Sequence, residues 1–174
     1  SLSRETEVIF DSRRGQDYHS ANPPLYDSST FHQTVLGGNA QYDYARSGNP
    51  NRTLLEEKLA RLEGGKYAFA YASGIAAITA VLLTLKSDDH VILPDDIYGG
   101  TLRLTEQILN RFNIKFTTVN ATNILEIKNA IQSNTKLIYV ETPSNPLFKI
   151  TDIRAVARIA KQNNLLLAVD NTFM

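Results

Sequence analysis

The chain has no cysteine among its 174 residues. Disulfides, thiolate metal sites and cysteine nucleophiles are excluded together. It also lacks a charge excess: 18 Lys and Arg balance 18 Asp and Glu. No basic stripe tracks a phosphate backbone, so nucleic acid is not an expected partner. No run reaches the roughly 18 apolar residues of a membrane span, and the opening SLSRETEVIF lacks the apolar core of a secretory signal. No membrane association is expected, and a cytoplasmic setting agrees with these absences. His19, His32 and His90 are far apart and share no ligand spacing, so each reads as a surface or hydrogen-bonded histidine rather than a metal ligand. No sequence period of about 20–50 residues recurs, which excludes a solenoid. What is present is a globular composition, 43% hydrophobic and 21% charged, on a length that suits one domain with a real core.

Residues 1–49 differ from the rest. They are rich in Asn, Ser, Gly, Tyr and Pro and hold no sustained helical period; residues 4–14 are the one stretch that suits a short helix. A stretch this long without regular structure is unusual inside a compact domain. It is either a disordered leader or an arm that docks elsewhere. Its aromatic residues Tyr18, Tyr26, Phe31, Tyr42 and Tyr44 favour the arm.

From residue 50 the pattern is regular. Pro50 and Asn51 open a helix whose Leu55, Leu59 and Leu62 share a face, and Gly64-Gly65 ends it. Strands are expected at Tyr67–Ala72, His90–Leu93, Ile114–Val119, Leu137–Glu141 and Leu165–Asp170. Helices are expected at Gly74–Leu85, at Gly99–Phe112 with Leu104, Ile108 and Leu109 near one face, around Ile124, Ile127 and Ile131, and at Asp152–Asn163 with Ile153, Val156, Ala157 and Ala160 inward. Five strands alternating with helices predict an α/β fold, a mainly parallel sheet covered on both faces. Ligands of such sheets bind beyond the carboxyl ends of the strands. The chain stops at Met174, directly after an apolar strand, so truncation or processing is expected.

Four short stretches fall at those carboxyl ends. Ser73-Gly74-Ile75 starts a helix, where the first amides have no internal partner and glycine lets a phosphate approach; a plain strand–helix turn is the alternative. Neither GxxxxGK(S/T) nor GxGxxG occurs, so this is no P-loop and no dinucleotide fingerprint. Tyr98 precedes Gly99-Gly100 and suits either a ring stacked on a planar ligand or packing on its own loop. Glu141-Thr142-Pro143-Ser144-Asn145-Pro146 either presents the Asn145 amide or is a plain turn. Asp170 follows an apolar run, where a carboxylate is costly to bury unless cations or donors meet it; helix capping is the alternative for Asp170-Asn171-Thr172. Taken together the four suit a flat, phosphorylated, cationic heteroaromatic ring.

The stretches YDYARSGNPNRTLLEEKLARLEGG, ASGIAAI, DDIYGGT, ETPSNP and VDNTF, in that order, resemble the Cys/Met-metabolism (trans-sulfuration) family of fold-type I pyridoxal-phosphate (PLP) enzymes, and the resemblance covers essentially the whole chain. It implies an aspartate aminotransferase-like large domain, with residues 1–49 as an extended arm contacting the neighbouring subunit and 50–174 as the first part of the PLP-binding α/β domain. It implies that Gly74 and Ile75 give backbone amides to the PLP phosphate. Family members often have Met where Ile75 stands, which a backbone donor tolerates. Tyr98 would stack on the pyridine ring and is a candidate for proton transfer. Asp170 would pair with the protonated ring nitrogen, Thr172 would lie near the 3'-oxygen side, and Asn145 would sit near that oxygen and the substrate carboxylate. Tyr44 and Arg46 would reach into the neighbouring subunit's site and hold its phosphate, so a homo-oligomer, dimer or tetramer, is implied.

The family's Schiff-base lysine lies shortly after the VDNTF segment. None of Lys66, Lys86, Lys115, Lys128, Lys136, Lys149 and Lys161 stands in that context, and none is assigned the role. The C-terminal domain and its substrate-clamping arginine are also absent, so the fragment alone is expected to have no turnover. Within the family, VLLTL, ILNRFNIKFTTV, TDIRAV and VDNTFM are most similar to bacterial cystathionine β-lyases. That implies β-elimination on cystathionine in methionine biosynthesis. Cystathionine γ-synthases, γ-lyases and O-acylhomoserine sulfhydrylases share every motif quoted. A non-catalytic dimerising module is a second reading. A nucleotide-binding α/β domain of another class is a third, opposed by the missing glycine fingerprint and by Tyr44 and Arg46.

Overall fold

In the computed structural model the described residues are Ser3, Thr6, 22–33, Val35, Gly37, Gly38 and 40–174. His19, Tyr18 and, but for Thr6, the short helix expected over 4–14 lie outside them. Contacts divide the chain into two units, Ser1–Tyr71 and Ala72–Met174.

The first unit is built around helix α1 (Pro50–Leu62). Pro50 suits the first turn, where its missing N–H has no helical partner to lose. The Asn49 side chain caps that turn by accepting from Asn51 N–H at 2.8 Å. The Asn51 side chain accepts from Tyr26 N–H at 2.8 Å and donates to Pro24 O at 2.7 Å, and Asn49 Nδ2 donates to Tyr26 O at 3.0 Å. Two asparagines thus fasten the coil at 24–26 to the helix start. A single antiparallel bridge joins Thr30 to Tyr44. The helix closes as Gly64-Gly65 predicts: Gly64 takes a φ of +64°, its N–H bonds Arg61 O, and Gly65 N–H bonds Ala60 O at 2.8 Å. Leu55 and Leu59, expected on one face, are exposed. The strand expected at Tyr67–Ala72 does not form. Its period is real, with Tyr67, Phe69 and Tyr71 all exposed, but a strand is a pairing, and Ala70 N–H bonds the Glu56 carboxylate at 2.9 Å instead of a ladder partner.

The second unit carries a four-stranded sheet in the order β2-β1-β3-β4, with β1 (His90–Pro94), β2 (Lys115–Val119), β3 (Thr135–Glu141) and β4 (Leu166–Asp170). Every pairing is parallel. The sheet is therefore parallel as expected, with four strands rather than five. Its helices are α2 (Gly74–Leu82), α3 (Gly99–Gln107), α4 (Ile124–Asn129) and α5 (Ile153–Gln162).

Alternation along the central strands explains the two-sided cover. Val91, Leu93, Leu137 and Tyr139 pack with Leu82 of α2 on one face, and Ile92, Ile138 and Val140 pack with Ile127 of α4 and Val156 of α5 on the other. Two helices end well before their expected bounds, and α5 turns a different set of residues inward; α2 stops at Leu82 rather than Leu85. The helix expected over Gly99–Phe112 breaks after Gln107 into a short 3-10 turn, Leu109–Phe112. The break turns Leu109 fully inward and leaves Ile108 out. On α5, Val156, Ile159 and Ala160 face inward, whereas Ile153 and Ala157 do not.

At the amino edge of the sheet His90 is buried and hydrogen-bonded, as one of the two readings required. His90 Nδ1 lies 2.8 Å from Thr135 Oγ1, which also accepts from Gln132 N–H at 2.8 Å. Nε2 lies 2.9 Å from Thr117 Oγ1 and 3.3 Å from Gln132 Nε2. The ring fastens three strands together, and burial holds its pKa below 6.5. The unfolded chain therefore takes up this proton first as pH falls. The stability contributed here is complete above about pH 6.5 and declines below it, by at most ~1.4 kcal/mol per pH unit. His90→Gln is expected to flatten that part of the stability profile, measured as urea midpoints across pH 4.5–7.5. An unchanged slope would assign the acid sensitivity to other groups.

Candidate functional site

The carboxyl ends of β3 and β4, the loops that follow them, the first turn of α2 and the N-cap residue of α3 meet around a cavity of about 310 Å³. Six of the eight residues singled out from the sequence line it: Gly74, Ile75, Tyr98, Asn145, Asp170 and Thr172.

One end of it is the start of α2. Ser73 is the N-cap in extended backbone, and its carbonyl and hydroxyl take the N–H groups of Ala76 and Ala77. The N–H groups of Gly74 and Ile75 have no hydrogen-bond partner among the described residues. A Cβ added at Gly74 would meet nothing within 4 Å, so the glycine leaves open space in front of two free donors at the positive end of a helix.

Tyr98 precedes α3. Its N–H donates to Glu141 Oε2 at 2.8 Å, and its ring, 44% exposed, lies against Gly100. The same carboxylate accepts Asn145 N–H at 2.8 Å through Oε1. Glu141 thereby joins the two loops that carry the aromatic ring and the amide. It is 4% exposed, and burial raises its pKa; Asp170 and Asp96 push the same way, and the two amide bonds oppose them. The Asn145 side chain makes no hydrogen bond among the described residues. Its loop is braced by Ser144, which donates to the Asp96 carboxylate and accepts Lys149 N–H, and by a 3.1 Å ion pair between Lys149 and Asp95.

Asp170 ends β4 in register with Glu141. Its carboxylate meets donors and no cation among the described residues. Tyr139 Oη donates to Oδ2 at 2.8 Å, and Thr172 donates to Oδ1 through its N–H at 3.2 Å and its hydroxyl at 2.5 Å. The cost of a carboxylate after an apolar run is met by neutral donors, and the group lines the cavity. Tyr44 and Arg46 belong to the first unit and pair with each other: Arg46 Nη2 donates to Tyr44 Oη at 2.8 Å and the guanidinium lies 5.0 Å from the ring centroid.

Sequence reasoning did not single out Glu141 as a site residue, nor Tyr139, Ile78 or Phe173. The signal for the first two was available: Leu137, Tyr139 and Glu141 alternate on β3, so all three share the face that ends at the cavity. No group of three potential His, Asp or Glu ligands for a metal occurs among the described residues, and no helix among them is long and apolar enough to cross a membrane.

Residues 5–174 match the family model described as Cys/Met metabolism PLP-dependent enzyme. The chain is 83% identical over its whole length to the cystathionine beta-lyase MetC of Staphylococcus haemolyticus, covering 44% of that protein, and 50% identical over 87% of its length to the cystathionine beta-lyase MetC of Bacillus subtilis, covering 39%. The crystal structure of a cystathionine gamma-lyase from Lactobacillus plantarum complexed with L-serine superposes with a TM-score of 0.93 at 43% identity, over 99% of this chain and 45% of that one. The chain thus spans under half the length of these relatives. A sheet rim that brings two helix amides and a hydrogen-bonded carboxylate to one cavity, in a chain matched almost from end to end by one family model, has a single classification: the chain belongs to the Cys/Met metabolism family of PLP-dependent enzymes.

Proposed function

We propose that this rim holds PLP and that the protein carrying the chain cleaves cystathionine by β-elimination, yielding homocysteine, pyruvate and ammonia on the route to methionine. The observation that carries the reading is the pairing, in one cavity, of the Gly74 and Ile75 amides, free among the described residues, with an Asp170 carboxylate that has donors but no cation among them. A dianionic phosphate suits the first and a pyridinium nitrogen the second.

The residues fit the cofactor in kind. Gly74 and Ile75 bind the phosphate through backbone N–H groups. Asp170 accepts from the ring N–H and holds the positive charge on the ring. Tyr98 covers a ring face, Thr172 and Asn145 lie toward the 3'-oxygen side, and Asn145 also faces the substrate carboxylate. Bound there, PLP supplies a sink for the electron pair left when the substrate's α-proton departs, so that a sulfur substituent at Cβ can leave. Residues 1–49 act as an arm, with Tyr44 and Arg46 binding the phosphate of a neighbouring subunit in a homo-oligomer; Arg suits that task because its planar fork donates two charged hydrogen bonds at once. No lysine of the chain is assigned the covalent role.

The β- rather than γ-reading is supported by the names of the S. haemolyticus and B. subtilis relatives, while the L. plantarum structure is called a γ-lyase. The test joins this chain to the remaining residues of the S. haemolyticus relative and supplies cystathionine. Pyruvate with homocysteine is expected. Release of 2-oxobutyrate with cysteine would move the assignment to γ-elimination, and neither product would overturn both.

A further inference from the structure

We propose that Tyr139 is a positioning residue that fixes the Asp170 carboxylate and keeps the proton it shares with the cofactor on the ring nitrogen. The inference rests on the reading of the cavity as a PLP site.

Tyr139 does not line the cavity. It lies beneath it, 3% exposed, in the core between β3, α2 and α3. Its register partner on β4 is Ala168, two residues before Asp170. That small side chain lets the phenol lean across the neighbouring strand, and its hydroxyl meets Asp170 Oδ2 at 2.8 Å. With Thr172 on Oδ1, each carboxylate oxygen has its own donor, and the plane of the group is held from both sides.

The two donors are not equivalent. Thr172 is exposed in the loop after β4, whereas Tyr139 is clamped in the core. Burial pushes the phenol pKa far above its usual range, and the charges of Asp170 and Glu141 and the hydrogen bond to Asp170 add to this. Thr101, whose buried hydroxyl has no well-formed hydrogen bond, pulls weakly the other way. Tyr139 is therefore a permanent donor. A permanent donor on Oδ2 fixes the carboxylate in the orientation that meets a ring N–H. A proton held in that hydrogen bond stays on the nitrogen, which is the form that accepts electrons best.

The experiment uses the holoenzyme formed by this chain and the remaining residues of the S. haemolyticus relative, reconstituted with PLP labelled with 15N in the ring. Tyr139→Phe removes one buried hydroxyl and keeps the ring. The expected result is a melting temperature within a few degrees of the parent, a PLP dissociation constant about tenfold higher, and a 15N resonance moved toward that of the unprotonated ring. A 3,5-difluorotyrosine at position 139, which keeps the shape and strengthens the donor, should move the resonance the opposite way, and this arm decides if the phenylalanine variant folds poorly. Asp170→Asn serves as the comparator. Wild-type affinity and resonance in the Tyr139 variants, with both altered in Asp170→Asn, would overturn the role of Tyr139 and leave the cofactor reading standing. No change in Asp170→Asn either would overturn both.

Discussion

Asp170→Asn in the joined holoenzyme is expected to lower cystathionine turnover by about 10³-fold, with the fold retained. The carboxylate receives three hydrogen bonds, from Tyr139 and twice from Thr172. An asparagine keeps the volume but turns an NH2 toward one of these donors, and it removes the negative charge that in the proposed role holds a proton on the ring nitrogen. Without that charge the ring is a weaker electron sink, so the loss falls on the chemical step. The substitution also relieves Glu141, whose carboxyl is pushed up partly by the charge of Asp170. Stability should therefore change little while kcat collapses. Product formation and a thermal melt on the same samples check both halves. A variant retaining more than a tenth of the parent kcat would remove Asp170 from the proposed role.

Gly100→Ala is expected to give the second largest effect, about 10- to 100-fold in turnover. A Cβ at this position would collide with Tyr98 Cε1 and lie 2.9 Å from Cζ and 3.0 Å from Cδ1. Because Tyr98 N–H is tied to Glu141 at 2.8 Å, the backbone resists moving and the ring must swing away instead. Gly100 lies in the first turn of α3, where alanine is the better helix former by up to ~1 kcal/mol. The signature is an enzyme as stable as the parent, or more so, with impaired turnover and an altered cofactor absorbance. If turnover is unchanged, the ring's resting place on Gly100 is not the position it uses.

How far such features were legible in the sequence depends on whether they are local. β1 and β3 showed themselves as apolar runs because both faces of a central parallel strand are covered, and the Asp152 cap of α5, accepting from Ala155 N–H at 2.9 Å, marks a start that local chemistry specifies. Tyr67–Ala72 carries a strand pattern without a strand, since pairing needs a partner that no local pattern reveals. Ile108 and Leu109 read as neighbours on one helical face, yet a break in the backbone turns them apart. In the site, Gly74 and Tyr98 were visible because each sits at a glycine-marked turn. The bond between Tyr139 and Asp170 spans 31 residues, and Glu141 reaches 43 residues back to Tyr98. Such partners are set by strand register, which the sequence does not display.

One carboxylate, that of Glu141, receives amides from the loops of both Tyr98 and Asn145, and this makes the length of a glutamate side chain a ruler. The distance between the Tyr98 ring and the Asn145 amide is calibrated by one rod anchored in a rigid strand. Shortening the rod by one methylene, as in Glu141→Asp, would detune both loops at once.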